Sequence, residues 1–228
     1  MGLYSRYVFP WILERIEGPE IHELRRRCVS EAGGDVLEIG LGTGKTLPHY
    51  GRAVRSLTAV EPNVGMRRAL ESRIAAAGVP VQLVQAAGER LPFDDERFDC
   101  VVLSLVLCTV DDPQATLGEI RRVLKPGGRC TFFEHVASED AKSRRWQNRL
   151  NWIQRIVGCG CNLNRDSERA MRDAGFRIES AERRISRDMP INPRLFPFVL
   201  GVAVKPLETP RPAVVTATSG PPKTRTPG

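Results

Sequence analysis

From residue 34 onward, short apolar runs alternate with segments of helical periodicity, and this alternation constrains the fold more than any other feature of the chain. Val36–Ile39, Leu57–Val60, Val81–Val84, Asp99–Leu103 and Arg129–Phe133 read as strands, with two more near 176–182 and 198–205. Helices are expected at 44–52, 63–77, 114–124 and 166–174, after a polar helix at about 19–31. Strands separated by helices build a doubly wound, mostly parallel α/β sheet, here of seven strands, covered on both faces. Ligands of such sheets bind outside the carboxyl ends of the strands, so the chemistry belongs just after each strand. The expected organisation is an N-terminal amphipathic or lid segment over 1–33, a domain over 34–205 with a substrate-side insertion at 138–165, and a tail at 206–228.

Composition narrows what surrounds that domain. The tail holds six prolines, five threonines and no aromatic residue, too little to form a core, and is expected to be disordered. Residues 1–17 place Leu3, Tyr4, Tyr7, Val8, Phe9, Trp11, Ile12 and Ile16 at amphipathic spacing around Pro10, suited to docking on the domain or to lying on a bilayer. No apolar run is long enough for a membrane span, and the N-terminus lacks the pattern of a secretory signal. Of six cysteines, Cys28, Cys100, Cys108 and Cys130 sit in apolar stretches as reduced core residues. Cys159 and Cys161 form a C-x-C with no second pair nearby, so no metal is expected. Cysteine usage suits the cytoplasm, or the cytosolic periphery of a membrane. The net charge of +7 comes from one segment: residues 142–187 carry 12 basic and 5 acidic side chains, whereas 1–141 carry 17 and 20. Such a segment suits a solvated helix or an anionic partner. Nucleic acid is not expected, because no aromatic–glycine RNA-binding pattern is present and aromatic residues make up only 6%.

The first strand runs into Gly40-Leu41-Gly42-Thr43-Gly44, a turn whose alternate glycines let the backbone approach a ligand. A dinucleotide loop requires glycine at position 45, which is lysine. Gly44-Lys45-Thr46 matches half of a phosphate-binding P-loop, but Ile39 replaces its first glycine, and Glu38 would repel a triphosphate. The run Glu38-x-Gly40-x-Gly42-x-Gly44 instead resembles motif I of the class I S-adenosylmethionine (SAM) methyltransferases. Further landmarks follow in register: Glu61-Pro62 ending the second strand, Met66, Gly88-Glu89, DDERFD at 94–99 and LKPGG at 124–128. The resemblance implies SAM as cofactor, held by Glu38, Gly40, Gly42, Gly44, Glu61, Pro62, Met66, Gly88, Glu89 and Ser104. Glu61 would accept hydrogen bonds from the ribose hydroxyls and Met66 would pack on adenine. Ala87 stands where the family often has aspartate, which leaves adenine to backbone groups or Glu89.

Beyond the generic motifs, LVLC at 105–108, Glu134-His135-Val136, Trp146-Gln147, GCNLNR at 160–165 and GVAVK at 201–205 resemble, in order, the methyltransferase-like proteins that methylate small alkyl thiols, and their bacterial relatives. The long hydrophobic N-terminal anchor of the animal members is not evident here. The implied reaction is an in-line SN2 transfer to a small thiol acceptor. His135 is the candidate that handles the thiol proton, and Arg165 the candidate that steadies the thiolate. Tyr4, Tyr7, Trp146 and Asn162 are candidate pocket residues, and Cys161 is expected to be a structural thiol. Two alternatives stay open: a lipid-like acceptor such as phosphatidylethanolamine or a quinone, and a SAM-binding scaffold without catalysis.

Overall fold

The computed structural model describes residues 4, 8, 11, 17–63, 67–188 and 192–207. Its centre is a seven-stranded sheet ordered β3-β2-β1-β4-β5-β7-β6. The strands are β1 (Gly34–Ile39), β2 (Val54–Val60), β3 (Val81–Val84), β4 (Phe98–Ser104), β5 (Leu124–His135), β6 (Arg177–Ile185) and β7 (Pro197–Val204). β1 to β5 pair in parallel, and β7 runs antiparallel to both β5 and β6. Two apolar clusters line the two faces, one around Val36, Leu57, Cys100 and Phe133, the other around Leu37, Leu103, Leu117 and Phe132. Successive strand residues point to opposite faces, so burial on both sides selects continuous apolar runs over alternating ones.

The helices are α1 (Pro19–Ser30), α2 (Arg67–Ala75), α3 (Pro113–Val123), α4 (Ala141–Val157) and α5 (Ser167–Asp173). α1 buries Ile21, Leu24, Cys28 and Val29. Its start is capped from far along the chain, Asp188 accepting from the backbone N–H of Glu20 and Ile21 at 2.7 and 3.2 Å. α3 begins where its sequence dictates, with Asp112 accepting from the N–H of Gln114 and Ala115 ahead of Pro113.

Two boundaries depart from expectation. The helix expected over 44–52 is only a 3₁₀ turn at Leu47–His49. Pro48 lacks an N–H, and the Thr46 and Tyr50 hydroxyls turn instead to Glu38, which stops propagation. The insertion at 138–165 is organised by one 17-residue helix, α4. Gln147, fully buried, ties α4 to the sheet: its amide donates to the carbonyls of Val136 and Leu195 and its oxygen accepts from the Ser138 N–H.

Candidate active site

Gly40, Gly42 and Gly44 all have positive φ, at 68°, 59° and 81°. A Cβ on Gly40 would stand 3.0 Å from a Val106 methyl, and one on Gly44 only 2.8 Å from Leu70. At Gly42 the nearest atom would be the Gly40 carbonyl oxygen at 3.9 Å. The loop is thus packed at its two ends and open at its middle, a cradle for a ligand.

Glu38, at the end of β1, is fully buried beneath the loop and accepts from the hydroxyls of Thr46 (2.7 Å) and Tyr50 (2.9 Å). Burial raises its pKa from 4.5 to about 7. The linked stability is therefore fully present below about pH 4.5 and is lost as pH rises through 7. The expected result is that wild type loses about 3 kcal/mol relative to Glu38→Gln between pH 4.5 and 8, read by denaturant unfolding of both chains. Equal pH dependence in both would remove the buried carboxyl from the account.

Glu61, just past β2, accepts from the N–H of Gly42 at 2.7 Å and of Asn63 at 2.8 Å, so it couples the glycine loop to the next strand. Burial raises its pKa. Pro62 beside it is exposed, and Met66 lies outside the described residues. Gly88 is buried where a Cβ would meet Thr116 and Ile39 at 3.0 and 3.1 Å, so its first duty is close packing. Glu89 accepts from the Asp111 N–H at 3.1 Å and borders the loop after β4.

A cation pair missed in the sequence joins the end of the glycine loop to α1 and β4. Arg25 of α1 donates to Ser104 Oγ at the end of β4 (2.6 Å) and to Glu17 (2.6 Å), and Lys45 donates to the same Glu17 at 3.0 Å. The three charged side chains are only 10%, 4% and 7% exposed, for Arg25, Glu17 and Lys45. Despite its burial, Glu17 has a lowered pKa, because the two cations outweigh the desolvation.

The other half of the site lies after β4 and β5. Glu134 is fully buried and accepts from the N–H of Val106 (2.8 Å), Leu107 (2.9 Å) and Cys108 (3.1 Å), which shapes a loop entered through Leu105 at φ +62°. His135 follows. Its ring stacks on Phe198 at 4.4 Å, its Nδ1 lies 3.5 Å from Cys161 Sγ, and its buried Nε2 has no hydrogen-bond partner among the described residues. Cys108 completes a trio with His135 and Cys161. The Cys108–Cys161 hydrogen bond holds the Cys161 thiol below its ordinary value and pushes Cys108 up.

Arg165, the expected thiolate-steadying residue, and several expected pocket residues are otherwise engaged. Arg165 donates through one nitrogen to the carbonyls of Leu107 (2.5 Å) and Val110 (2.7 Å), so it clasps the loop after β4. Asn162 does the same, its amide donating to Cys108 (3.1 Å) and Gly160 (2.8 Å) while its oxygen accepts from Asn151. Trp146 is half exposed on α4. The Tyr4 hydroxyl donates to the Val157 carbonyl at the end of α4, and Tyr7 lies outside the described residues. α4 itself exposes Trp152, Ile153, Ile156 and Val157. Among the described residues no helix is long and apolar enough to cross a membrane.

Comparison with known proteins agrees with this geometry. A family described as "Methyltransferase domain" matches residues 37–132. The human thiol S-methyltransferase TMT1A is 34% identical over 177 residues, 75% of this chain and 70% of that protein. The phosphatidylethanolamine N-methyltransferase of Cereibacter sphaeroides is 32% identical over 161 residues, 65% of this chain and 79% of that protein. Among solved structures, the N-methyltransferase NodS of Bradyrhizobium japonicum WM9, in complex with S-adenosyl-L-homocysteine, is similar with a TM-score of 0.61 at 16% identity, over 84% of this chain and 88% of its own. The glycine cradle, the acidic residue closing β2 and the sheet order meet in one conclusion: this chain belongs to the class I methyltransferases that use SAM, as a relative of the thiol S-methyltransferases.

Proposed function

We propose that the chain transfers a methyl group to a small thiol in the corner between the ends of β4 and β5. The observation that carries this reading is the polar inventory of that corner: an imidazole with an unpartnered Nε2 and two thiols. Glu134, the carboxylate beside them, is committed through both oxygens to backbone N–H groups and does not offer itself to an amine acceptor. The similarity to thiol S-methyltransferases supports the same class.

The residues fit the cofactor. Gly40, Gly42 and Gly44 leave room for close backbone approach. Glu61 keeps acceptor capacity for two ribose hydroxyls beyond the two N–H groups it already serves. Gly88 and Glu89 border the adenine side. Arg25 and Lys45 would receive an α-carboxylate where Glu17 now sits, with Ser104 beneath them and Glu38 under the loop. When bound, SAM supplies a methyl group already activated by a sulfonium. The chain's own work is then alignment and exclusion of water. Arg165, Asn162 and Glu134 hold the loop that carries Cys108, and Phe196 and Phe198 wall His135. The acceptor reacts as its thiolate, beside His135.

The test is methyl transfer from labelled SAM to a panel of small thiols, hydrosulfide included, alongside amine and phenol acceptors. Thioether product from the thiols alone is the expected outcome. A second reading, a lipid-like acceptor, is favoured by the exposed apolar face of α4 with Arg149 and Arg155 on the same helix. Product only from phosphatidylethanolamine in vesicles, and none from any thiol, would replace the first reading by the second.

A further inference from the structure

Cys108, His135 and Cys161 come from three separate segments: the loop after β4, the end of β5 and the loop after α4. Their ligand atoms all lie within 4.8 Å of one another, and Cys161 Sγ is 3.5 Å from His135 Nδ1. Tetrahedral Zn²⁺, with Zn–S near 2.3 Å and Zn–N near 2.0–2.1 Å, requires sulfur–nitrogen separations of about 3.5 Å and sulfur–sulfur separations of about 3.8 Å. The trio therefore has the spacing of a metal site before any side chain moves far. Both cysteines are buried, and His135 uses neither nitrogen in a strong hydrogen bond within the protein, Nδ1 facing only sulfur and Nε2 facing no partner. Two thiolates and a neutral imidazole also balance a divalent cation, so the loaded site would carry no net charge into the interior. Cys159, the other half of the C-x-C, is not in the trio and sits at φ +47°.

We propose that Cys108, His135 and Cys161 bind Zn²⁺ and that its fourth position takes the sulfur of the acceptor thiol. This rests on the thiol reading of the site. Three protein ligands with an open fourth position are the arrangement of catalytic zinc, and a thiol that coordinates the ion is deprotonated outright. Metal binding releases the two cysteine protons, and acceptor binding releases the acceptor's proton to solvent. The thiolate lone pair then forms the new S–CH₃ bond as the bond from the methyl carbon to the sulfonium breaks. The departing sulfur keeps that electron pair, and both products are neutral thioethers, poor ligands that leave the metal. In this arrangement His135 acts as a ligand through Nδ1, with the ring proton on Nε2.

The experiment is titration of the full chain, stripped of metal by chelation, with Co²⁺ as a spectroscopic stand-in. The expected result is one equivalent bound with tetrahedral d–d bands and a thiolate-to-cobalt charge-transfer band. Adding 2-mercaptoethanol should then change the bands. Cys108→Ser and Cys161→Ser should each weaken Co²⁺ binding on the order of 100-fold or more, while Cys159→Ser leaves it unchanged. SAM affinity, measured on every variant, confirms that each still folds. Absence of tetrahedral bands in the wild type would overturn the proposal, as would bands that survive loss of both Cys108 and Cys161. Bands indifferent to 2-mercaptoethanol would overturn the fourth-ligand role. Because the readout needs no methyl transfer, a bound, thiol-responsive cobalt ion in a chain that methylates no thiol would count against the thiol reading alone.

Discussion

Glu61→Ala is expected to raise the dissociation constant for SAM on the order of 100-fold, measured by isothermal titration calorimetry. The carboxylate already orders the loop through the Gly42 and Asn63 N–H groups, and on the proposed reading its remaining lone pairs would accept from the ribose hydroxyls. Hydrogen bonds to a charged group contribute about 1.5–3 kcal/mol each, and about 1.4 kcal/mol is tenfold in affinity. Two ribose contacts would exceed the stated loss, which leaves room for water to refill the space. Glu61→Gln keeps an acceptor oxygen without the charge and should fall between wild type and alanine. Unchanged affinity in Glu61→Ala would mean that the cofactor's sugar lies elsewhere.

The second large effect falls on stability. Glu134→Ala strands three backbone N–H groups, of Val106, Leu107 and Cys108, in a fully buried loop. Unsatisfied buried donors cost about 1–3 kcal/mol each, and local relaxation recovers part of that, so a net loss of about 4 kcal/mol is expected. For a chain of this size that lowers the melting temperature by roughly 8–16 °C in differential scanning calorimetry. A melting temperature within a degree or two of wild type would show that the loop is held by Arg165 and Asn162 without the carboxylate.

What was legible in the sequence is what short-range chain geometry controls. The strand-to-glycine turn places Glu38 and Gly40 through local spacing, and Glu61 falls at the end of the adjacent strand because β1 and β2 pair in register from Asp35 to Ile39. The apolar runs marked the inner strands, where burial on both faces leaves few polar options, whereas β6 (RIESAERRI) is an edge strand with exposed and half-buried residues. The helix expected after the loop fails because periodicity does not weigh Pro48 against two hydroxyls recruited by a buried carboxylate. Arg25 was illegible: nothing local distinguishes it from Arg26 and Arg27, and only the docking of α1 turns it inward towards Ser104. Arg165 and Asn162 read as candidates at the carboxyl edge of the sheet, and in the structure each donates to a carbonyl more than fifty positions away in the loop after β4. The C-x-C spacing says as little about long-range neighbours. Cys161 finds its partners at positions 108 and 135, and its near neighbour Cys159 is not among them.

The order of strands also sets an order of events at the ribosome. Among the described residues β6 pairs only with β7, and β7 fills the place between β5 and β6, so synthesis must reach residue 204 before that side of the sheet can close. β1 to β4 can assemble earlier, with the glycine cradle and Glu61 among them. β5 meanwhile presents one edge of unpaired backbone groups, an invitation to misassociation that lasts until the final strand arrives. His135 lies opposite Phe198 in that last pairing and stacks on its ring. A nascent chain can therefore own a formed glycine loop while the corner around His135 is still unbuilt, and truncation within β7 would disturb that corner before it touched the loop.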